Sequence, residues 1–350
     1  MNPENRDSGI DAVKILAIVL VIVHHIVEFG FSLSATAGGS LRFVWHLSRT
    51  VSITCIDLFA LSTGYLCIAS RGMAKRLPGL WLQAVATGMV VASLCLMGGA
   101  HVGIMDWIRT FFPVVTGEYW YFTAYFVLCL FMPFVNPGAK NLEKKAFFRL
   151  LLAFFLFLSI PSVLLQHDPF VIKCGYSFAW LLVLYLFGAY WRLHVAKPPH
   201  VSVCLGVLGC CSLSFLIPSV GKRLLPGAAG EWFGAFNPVW PSSPFTLAMA
   251  LAIFGLCRHV RVRSLRVRSL MAILSGLSFG MYLWLVHPVF WRAFWRPRLG
   301  AVTISSLSGF LGTLVLATGL AFAVAGLLEL TRQHLFRIVA KWLSRQRHAT

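Results

Sequence analysis

Charge is too scarce along this chain to coat a soluble protein of its length. Of the 350 residues, 12% are Asp, Glu, Lys or Arg and 58% are hydrophobic. An average soluble domain carries about 25% charged residues, so the apolar excess must face lipid. The apolar residues form runs of about 20, the length of a helix that crosses a bilayer. The sequence therefore predicts an all-α, polytopic bundle of transmembrane helices in the cell membrane.

Hydropathy windows of about 20 residues predict about ten transmembrane helices. They lie near residues 12–30, 50–70, 78–99, 117–136, 146–165, 176–193, 201–219, 242–257, 269–288 and 303–328. No long polar linker separates them, so residues 1–330 are predicted to form one transmembrane domain. Residues 331–350 are predicted to form a basic cytoplasmic tail.

Positive charge is distributed unevenly between alternate loops. The segments on the side of the N-terminus hold 20 Lys and Arg residues, and the opposite segments hold 9. Cytoplasmic loops are enriched in Lys and Arg, so both termini are predicted to be cytoplasmic. The net charge of +19 lies in short loops, which argues against nucleic-acid binding. The basic stretches 258–270 and 341–350 are expected to touch anionic lipid headgroups. The alternative is that they serve only as determinants of topology.

The nine cysteines include no CxxC pair and lie mostly within apolar runs. They are interpreted as small apolar residues rather than a disulfide framework, and no metal site is expected. No sequence feature indicates the oligomeric state.

The first predicted helix contains ionisable residues, which are costly in lipid and are functional candidates by default. Lys14 and His25 are 11 residues apart, which puts them within about 20° of one helix face and about 16.5 Å apart along the axis. Glu28 shares the face of His25 and is predicted to orient its ring. The alternative is structural, a lysine reaching the interface and a histidine bonded between helices.

The second predicted helix buries Asp57, for which Lys14, His25 or a loop arginine is the expected partner. A purely structural ion pair is the alternative. The small run Ser62–Gly64 is expected to permit close helix packing.

Aromatic residues open the fourth predicted helix, and a histidine ends the ninth. The segment 118–121 is interpreted as part of an aromatic belt at the membrane interface. Tyr282 and His287 are five residues apart, on poorly matched helix faces, and Pro288 is expected to end the helix.

Together these segments resemble the acyltransferase 3 family of integral membrane O-acyltransferases. The Lys14–His25 spacing is similar to that family's first-helix motif, and IDLFALSTGYL, with Asp57, resembles its second-helix motif. EYWYFTAYFVLCLFMPFVNP and LSFGMYLWLVHP are similar to two later motifs. The resemblance extends over essentially the whole chain.

The resemblance implies transfer of an acyl group, usually acetyl from acetyl-CoA, to a hydroxyl of a cell-surface glycan or lipid-linked carbohydrate. His25 would be the catalytic residue, as a general base or as a covalent acyl carrier, and the two remain open. Glu28 or Asp57 would hold its imidazole in the useful tautomer. Lys14, Arg71 and Arg76 would bind the phosphates of CoA.

A transporter or flippase is the alternative function. The same buried charges would then form a proton relay for moving a polysaccharide or a lipid-linked intermediate.

Overall fold

The computed structural model describes residues 6–70, 72–165 and 168–347, with the side chains of the last helix described as far as residue 339. It is 77% helical with almost no strand, and the predicted all-α polytopic class is confirmed. In lipid a helix satisfies its backbone hydrogen bonds internally, which is why long apolar runs adopt it.

The long apolar helices overlap the predicted spans, and short helices, turns and two strands lie between them. In chain order they are α1 Ser8–Phe29, β1 Ser32–Leu33, α2 Gly39–Ser52, α3 Cys55–Cys67, a 3-10 turn Ala74–Arg76, α4 Leu77–Met97, α5 Ile104–Phe111, α6 Trp120–Asn141, α7 Lys144–Phe154, a π-turn Phe155–Ser159, α8 Ile160–Leu164, a 3-10 turn Lys173–Gly175, α9 Phe178–His194, α10 Val201–Ser212, a 3-10 turn Ser214–Leu216, α11 Ile217–Leu224, α12 Gly227–Gly234, α13 Pro244–Cys257, α14 Leu265–Leu285, α15 Pro288–Phe290, a π-turn Trp291–Trp295, α16 Arg296–Gly300, β2 Thr303–Ile304 and α17 Leu307–Arg347.

Eight helical segments of the described chain are long and apolar enough to cross a membrane. The two other predicted spans correspond to α9 and α13, with 17 and 14 residues. The predicted ten crossings would put both termini on one side, so a reporter fused after residue 350 should read as cytoplasmic. The predicted boundary at residue 330 falls inside the unbroken helix α17.

Large apolar side chains point outward from the bundle, where a soluble protein would carry charge. Phe134 is 81% exposed and Leu316 is 73% exposed. Helix α1 packs among α2, α3, α14 and α17, and its ionisable residues are buried or half-buried. The two strands pair in parallel, Ser32 with Thr303, and join the segment after α1 to the segment before α17.

Helices α3 and α9 pack at backbone contact through two glycines. A Cβ on Gly64 would lie 1.9 Å from the carbonyl oxygen of Tyr185, and one on Gly188 would lie 2.1 Å from that of Leu61. The expected close packing of the second predicted helix is therefore confirmed at Gly64. This contact fixes the distance between Asp57 on α3 and the start of α9.

Gly64→Ala is expected to destabilise the protein by about 1–3 kcal/mol, because the new methyl group meets a backbone atom and the two helices must separate. Thermal unfolding in detergent measures the change. Gly206→Ala is the matched control, since a Cβ on Gly206 in α10 meets nothing within 4 Å. Equal stability of the two variants would contradict the tight α3–α9 contact.

Candidate active site

His25 lies on α1 with its ring held by the backbone of its own helix. Its Nδ1 is 2.8 Å from the carbonyl oxygen of Val21. A carbonyl oxygen only accepts hydrogen bonds, so in the uncharged ring Nδ1 carries the hydrogen and Nε2 keeps its lone pair. The ring packs edge-on against Trp291, with 5.6 Å between the ring centroids. The free Nε2 is the atom able to take a proton or an acyl group.

Glu28 has a different neighbour from the one predicted. Arg49 on α2 donates to both of its carboxylate oxygens, with 2.9 Å between Nη2 and Oε1. The prediction that Glu28 orients His25 is wrong, because a guanidinium from another helix engages both oxygens. The backbone carbonyl of Val21 fixes the tautomer instead.

Asp57 is fully buried on α3, and its neighbour is an indole rather than a cation. Nε1 of Trp180, at the start of α9, donates to Oδ1 over 3.4 Å. Oδ2 has no hydrogen-bond partner among the described residues. The expected ion pair with Lys14, His25 or a loop arginine is therefore wrong within the described chain. The tight α3–α9 packing brings Trp180 to this position instead.

Lys14 lies half-buried in the N-terminal half of α1. It has no hydrogen bond or ion pair with any described residue. The carboxylates of the first turns are already engaged, since Asp11 pairs with Arg6 at 2.7 Å and Asp7 pairs with Arg258. The ammonium group is thus available to an anionic ligand.

Of the other two residues predicted to bind CoA, Arg76 lies just before the start of α4. Arg76 is exposed and ends the 3-10 turn before that helix. Arg76 and Lys14 both interact electrostatically with Cys67, at the end of α3. The two cations therefore lie at the same end of the bundle. Arg71 lies outside the described residues.

A row of tyrosines lies between α6 and α14. We call Tyr125, Tyr121, Tyr282 and Tyr119 the tyrosine row, with successive ring centroids 6.5, 5.9 and 6.1 Å apart. His287 continues it, 5.7 Å from Tyr119. The hydroxyls of Tyr119 and Tyr121 and Nε2 of His287 are buried without a partner in the described chain. Tyr119 is 3% exposed, so the aromatic-belt interpretation is wrong for it.

His287 reaches the tyrosine row because the helix ends before it. Helix α14 ends at Leu285, and Nδ1 of His287 accepts a hydrogen bond from the backbone N–H of Val289 over 3.2 Å. Tyr282 and His287 are therefore not held on the separate faces that a continuous helix would give them. The expected helix end before Pro288 is confirmed.

A small cavity of about 10 Å³ lies against the ring of His25, enough for about one water molecule. Its wall is formed by side chains of α1, α14, the π-turn after α15, and α17. They are Val21, Ile22, His25, Ile26, Leu285, Val286, Trp291, Trp295 and Ala321. His25 thus lines a space large enough for a reacting atom.

Comparison with known protein families gives one match. The model of the acyltransferase domain of acyltransferase 3 proteins matches residues 7–328, nearly the whole chain. The chain belongs to the acyltransferase 3 family. No similar curated protein and no similar solved structure was found.

Membership of the acyltransferase 3 family confirms the resemblance drawn from the four motifs and supports a membrane acyltransferase. All the predicted site residues lie within the matched region. Sequence reasoning did not select Trp180 or Trp295 as site residues. They lie far from α1 along the chain, and the sequence around a tryptophan gives no signal that it lines a site.

Proposed function

We propose that this acyltransferase moves an acyl group from acyl-CoA to a hydroxyl of a cell-surface glycan or a lipid-linked carbohydrate. Acetyl is the acyl group that the family resemblance implies. The observation that carries the proposal is the pair of functional groups on α1. Lys14 is a cation with no partner in the described chain, and His25 has a free Nε2 about 16.5 Å further along the axis.

The donor enters from the cytoplasmic side in this proposal. Lys14 meets a phosphate of CoA as a point charge, and Arg76 and Arg71 are further cations for the same phosphates. The extended pantetheine arm then spans a length comparable to the rise from Lys14 to His25, so that the thioester lies next to His25.

His25 acts through Nε2 in either form of the reaction. As a general base it takes the proton of the acceptor hydroxyl, and that oxygen attacks the thioester carbonyl. The C–S bond breaks, and the sulfur leaves as a thiolate that takes a proton to give free CoA. As a nucleophile Nε2 itself carries the acyl group before the acceptor takes it. The Nδ1 hydrogen bond to Val21 stabilises the ring in both cases.

The unpartnered polar groups of the tyrosine row support a hydroxyl-rich acceptor. Buried polar groups are normally hydrogen-bonded, and Tyr119, Tyr121 and His287 have no such partner among the described residues. A carbohydrate offers several hydroxyls that both donate and accept. In this proposal the carbohydrate hydroxyls form hydrogen bonds with those buried polar groups.

The reaction is tested with purified protein in liposomes and acetyl-CoA labelled in the acetyl group. Lipopolysaccharide and exopolysaccharide preparations serve as acceptors. We expect CoA release and labelled carbohydrate, both absent with His25→Ala. Membranes that neither release CoA nor label a carbohydrate, with acetyl-CoA or with a longer labelled acyl-CoA, would contradict the proposal. Proton transport without CoA release or labelled carbohydrate would favour the alternative, a transporter or flippase.

Asp57→Asn is expected to leave the amount of folded protein unchanged, because asparagine still offers Trp180 an oxygen and no described cation loses a partner. We expect kcat to fall about tenfold or more, because an amide cannot replace carboxyl oxygen Oδ2, which has no partner among the described residues, in binding the reacting groups. Size-exclusion yield and kcat are measured together. Full activity would show Asp57 to be incidental, and lost folding would reveal a structural role.

A further inference from the structure

An apolar groove of about 220 Å³ opens between α4, α14 and α17. Its lining consists of aliphatic and aromatic side chains and one thiol. They are Val91, Leu94, Cys95, Trp284, Leu285, Phe290, Phe294, Trp295, Ala321, Val324, Ala325 and Leu328. The lining offers no charged side chain to a phosphate and no hydroxyl to a sugar.

The groove has a buried inner wall and an open outer rim. Ala325, Val91 and Cys95 of the inner wall are buried, whereas Leu94 and Val324 of the rim are exposed to the bilayer. The inner end adjoins the small cavity at His25, because Leu285, Trp295 and Ala321 line both spaces. The groove and the cavity that His25 lines are therefore neighbours.

Trp295, one of the residues that line both spaces, carries a buried polar atom. The indole Nε1 of Trp295 is buried and has no hydrogen-bond partner among the described residues. An unpaired buried N–H costs free energy unless a ligand accepts from it. A carbonyl oxygen next to His25 is an acceptor of the right kind.

We propose that the groove holds the hydrocarbon chain of the donor's acyl group, with its carbonyl oxygen at Nε1 of Trp295 and its thioester carbon facing His25. This inference rests on the proposed acyl transfer and names the acyl group as longer than acetyl. A cavity of about 150 Å³ takes up benzene, so 220 Å³ corresponds to a chain of roughly six to nine carbons.

A chain-length series of donors gives the first measurement. Acetyl-, butyryl-, hexanoyl- and octanoyl-CoA are compared on the full-length protein in liposomes, with CoA release as the readout. Each added methylene is expected to raise kcat/KM by about fourfold, which corresponds to about 0.8 kcal/mol of buried apolar surface. A fall in kcat/KM from acetyl to octanoyl would overturn the proposal.

Ala325→Leu fills the inner wall of the groove and is the decisive variant. We expect it to lower kcat/KM for octanoyl-CoA at least tenfold while changing that for acetyl-CoA less than twofold. Ala323→Leu is the matched control, because Ala323 is exposed on the same helix and lines neither space. The proposal is wrong if Ala325→Leu lowers kcat/KM equally for all donors or leaves it unchanged for all of them. The groove would then serve helix packing or hold bilayer lipid.

Trp295→Phe tests the polar end of the site. The variant keeps an aromatic wall but removes the N–H, so kcat is expected to fall about tenfold for every donor with the preference for chain length retained. Unchanged kcat would show that Nε1 of Trp295 does not bind the carbonyl oxygen. The proposed function fails separately, when no donor of any length is turned over.

Discussion

His25→Ala is expected to lower kcat by about 10²–10⁴-fold, the usual contribution of a positioned acid–base group. The KM for the donor should change little, because the imidazole acts on the transition state and not on the CoA phosphates. Nε2 is the atom lost, since Nδ1 is committed to the carbonyl of Val21 at 2.8 Å. Steady-state kinetics with labelled acyl-CoA in liposomes measure both constants.

His24→Ala is the matched control on the same helix. His24 is buried with its Nδ1 3.4 Å from Oγ of Ser52, about 100° around α1 from His25. Its loss should reduce the amount of folded protein more than kcat. The proposed chemistry is wrong if His24 proves essential and His25 dispensable.

The helices and the first-helix spacing follow from local properties of the chain. A run of about 20 apolar residues must become a helix in lipid, whatever its neighbours. The shared face of Lys14 and His25 needs only the 3.6-residue repeat, because α1 is unbroken over Ser8–Phe29. For these features the sequence contained all the information required.

The partners of the charged residues could not be predicted in the same way. Glu28 lies one turn from His25, yet Arg49 of α2 engages it. Asp57 contacts Trp180, 123 residues away, because glycines bring α3 and α9 into backbone contact. Such contacts depend on which helices are neighbours, and hydrophobic periodicity gives no information about that.

The end of α14 shows a second limit of sequence reasoning. Tyr282 and His287 are on different faces of a continuous helix, but the helix ends at Leu285 and both rings contact Tyr119. The proline at 288 indicated where the helix ends. It did not indicate the direction that the chain takes afterwards, which decides the composition of the site.

Lys14→Ala is expected to raise the donor KM by about 10- to 100-fold, since a charge-assisted contact contributes about 1.5–3 kcal/mol. Turnover at saturating donor should survive, because Lys14 is about 16.5 Å from the reacting nitrogen along α1. Lys14→Arg should restore most of the affinity, as a phosphate accepts either cation. Titration of acyl-CoA against each variant gives KM and kcat separately.

Lys75→Ala is the control for a general loss of positive charge at the same end of the bundle. Lys75 is exposed, next to Arg76 in the turn before α4, and its removal should change KM less than twofold. An equal rise in both variants would mean that Lys14 attracts the donor only through long-range charge. If Lys14→Ala instead lowers kcat as far as His25→Ala does, with KM unchanged, then Lys14 does not bind the donor. The two residues would then belong to one structural polar face of α1, and the division of binding and chemistry along this helix would be wrong.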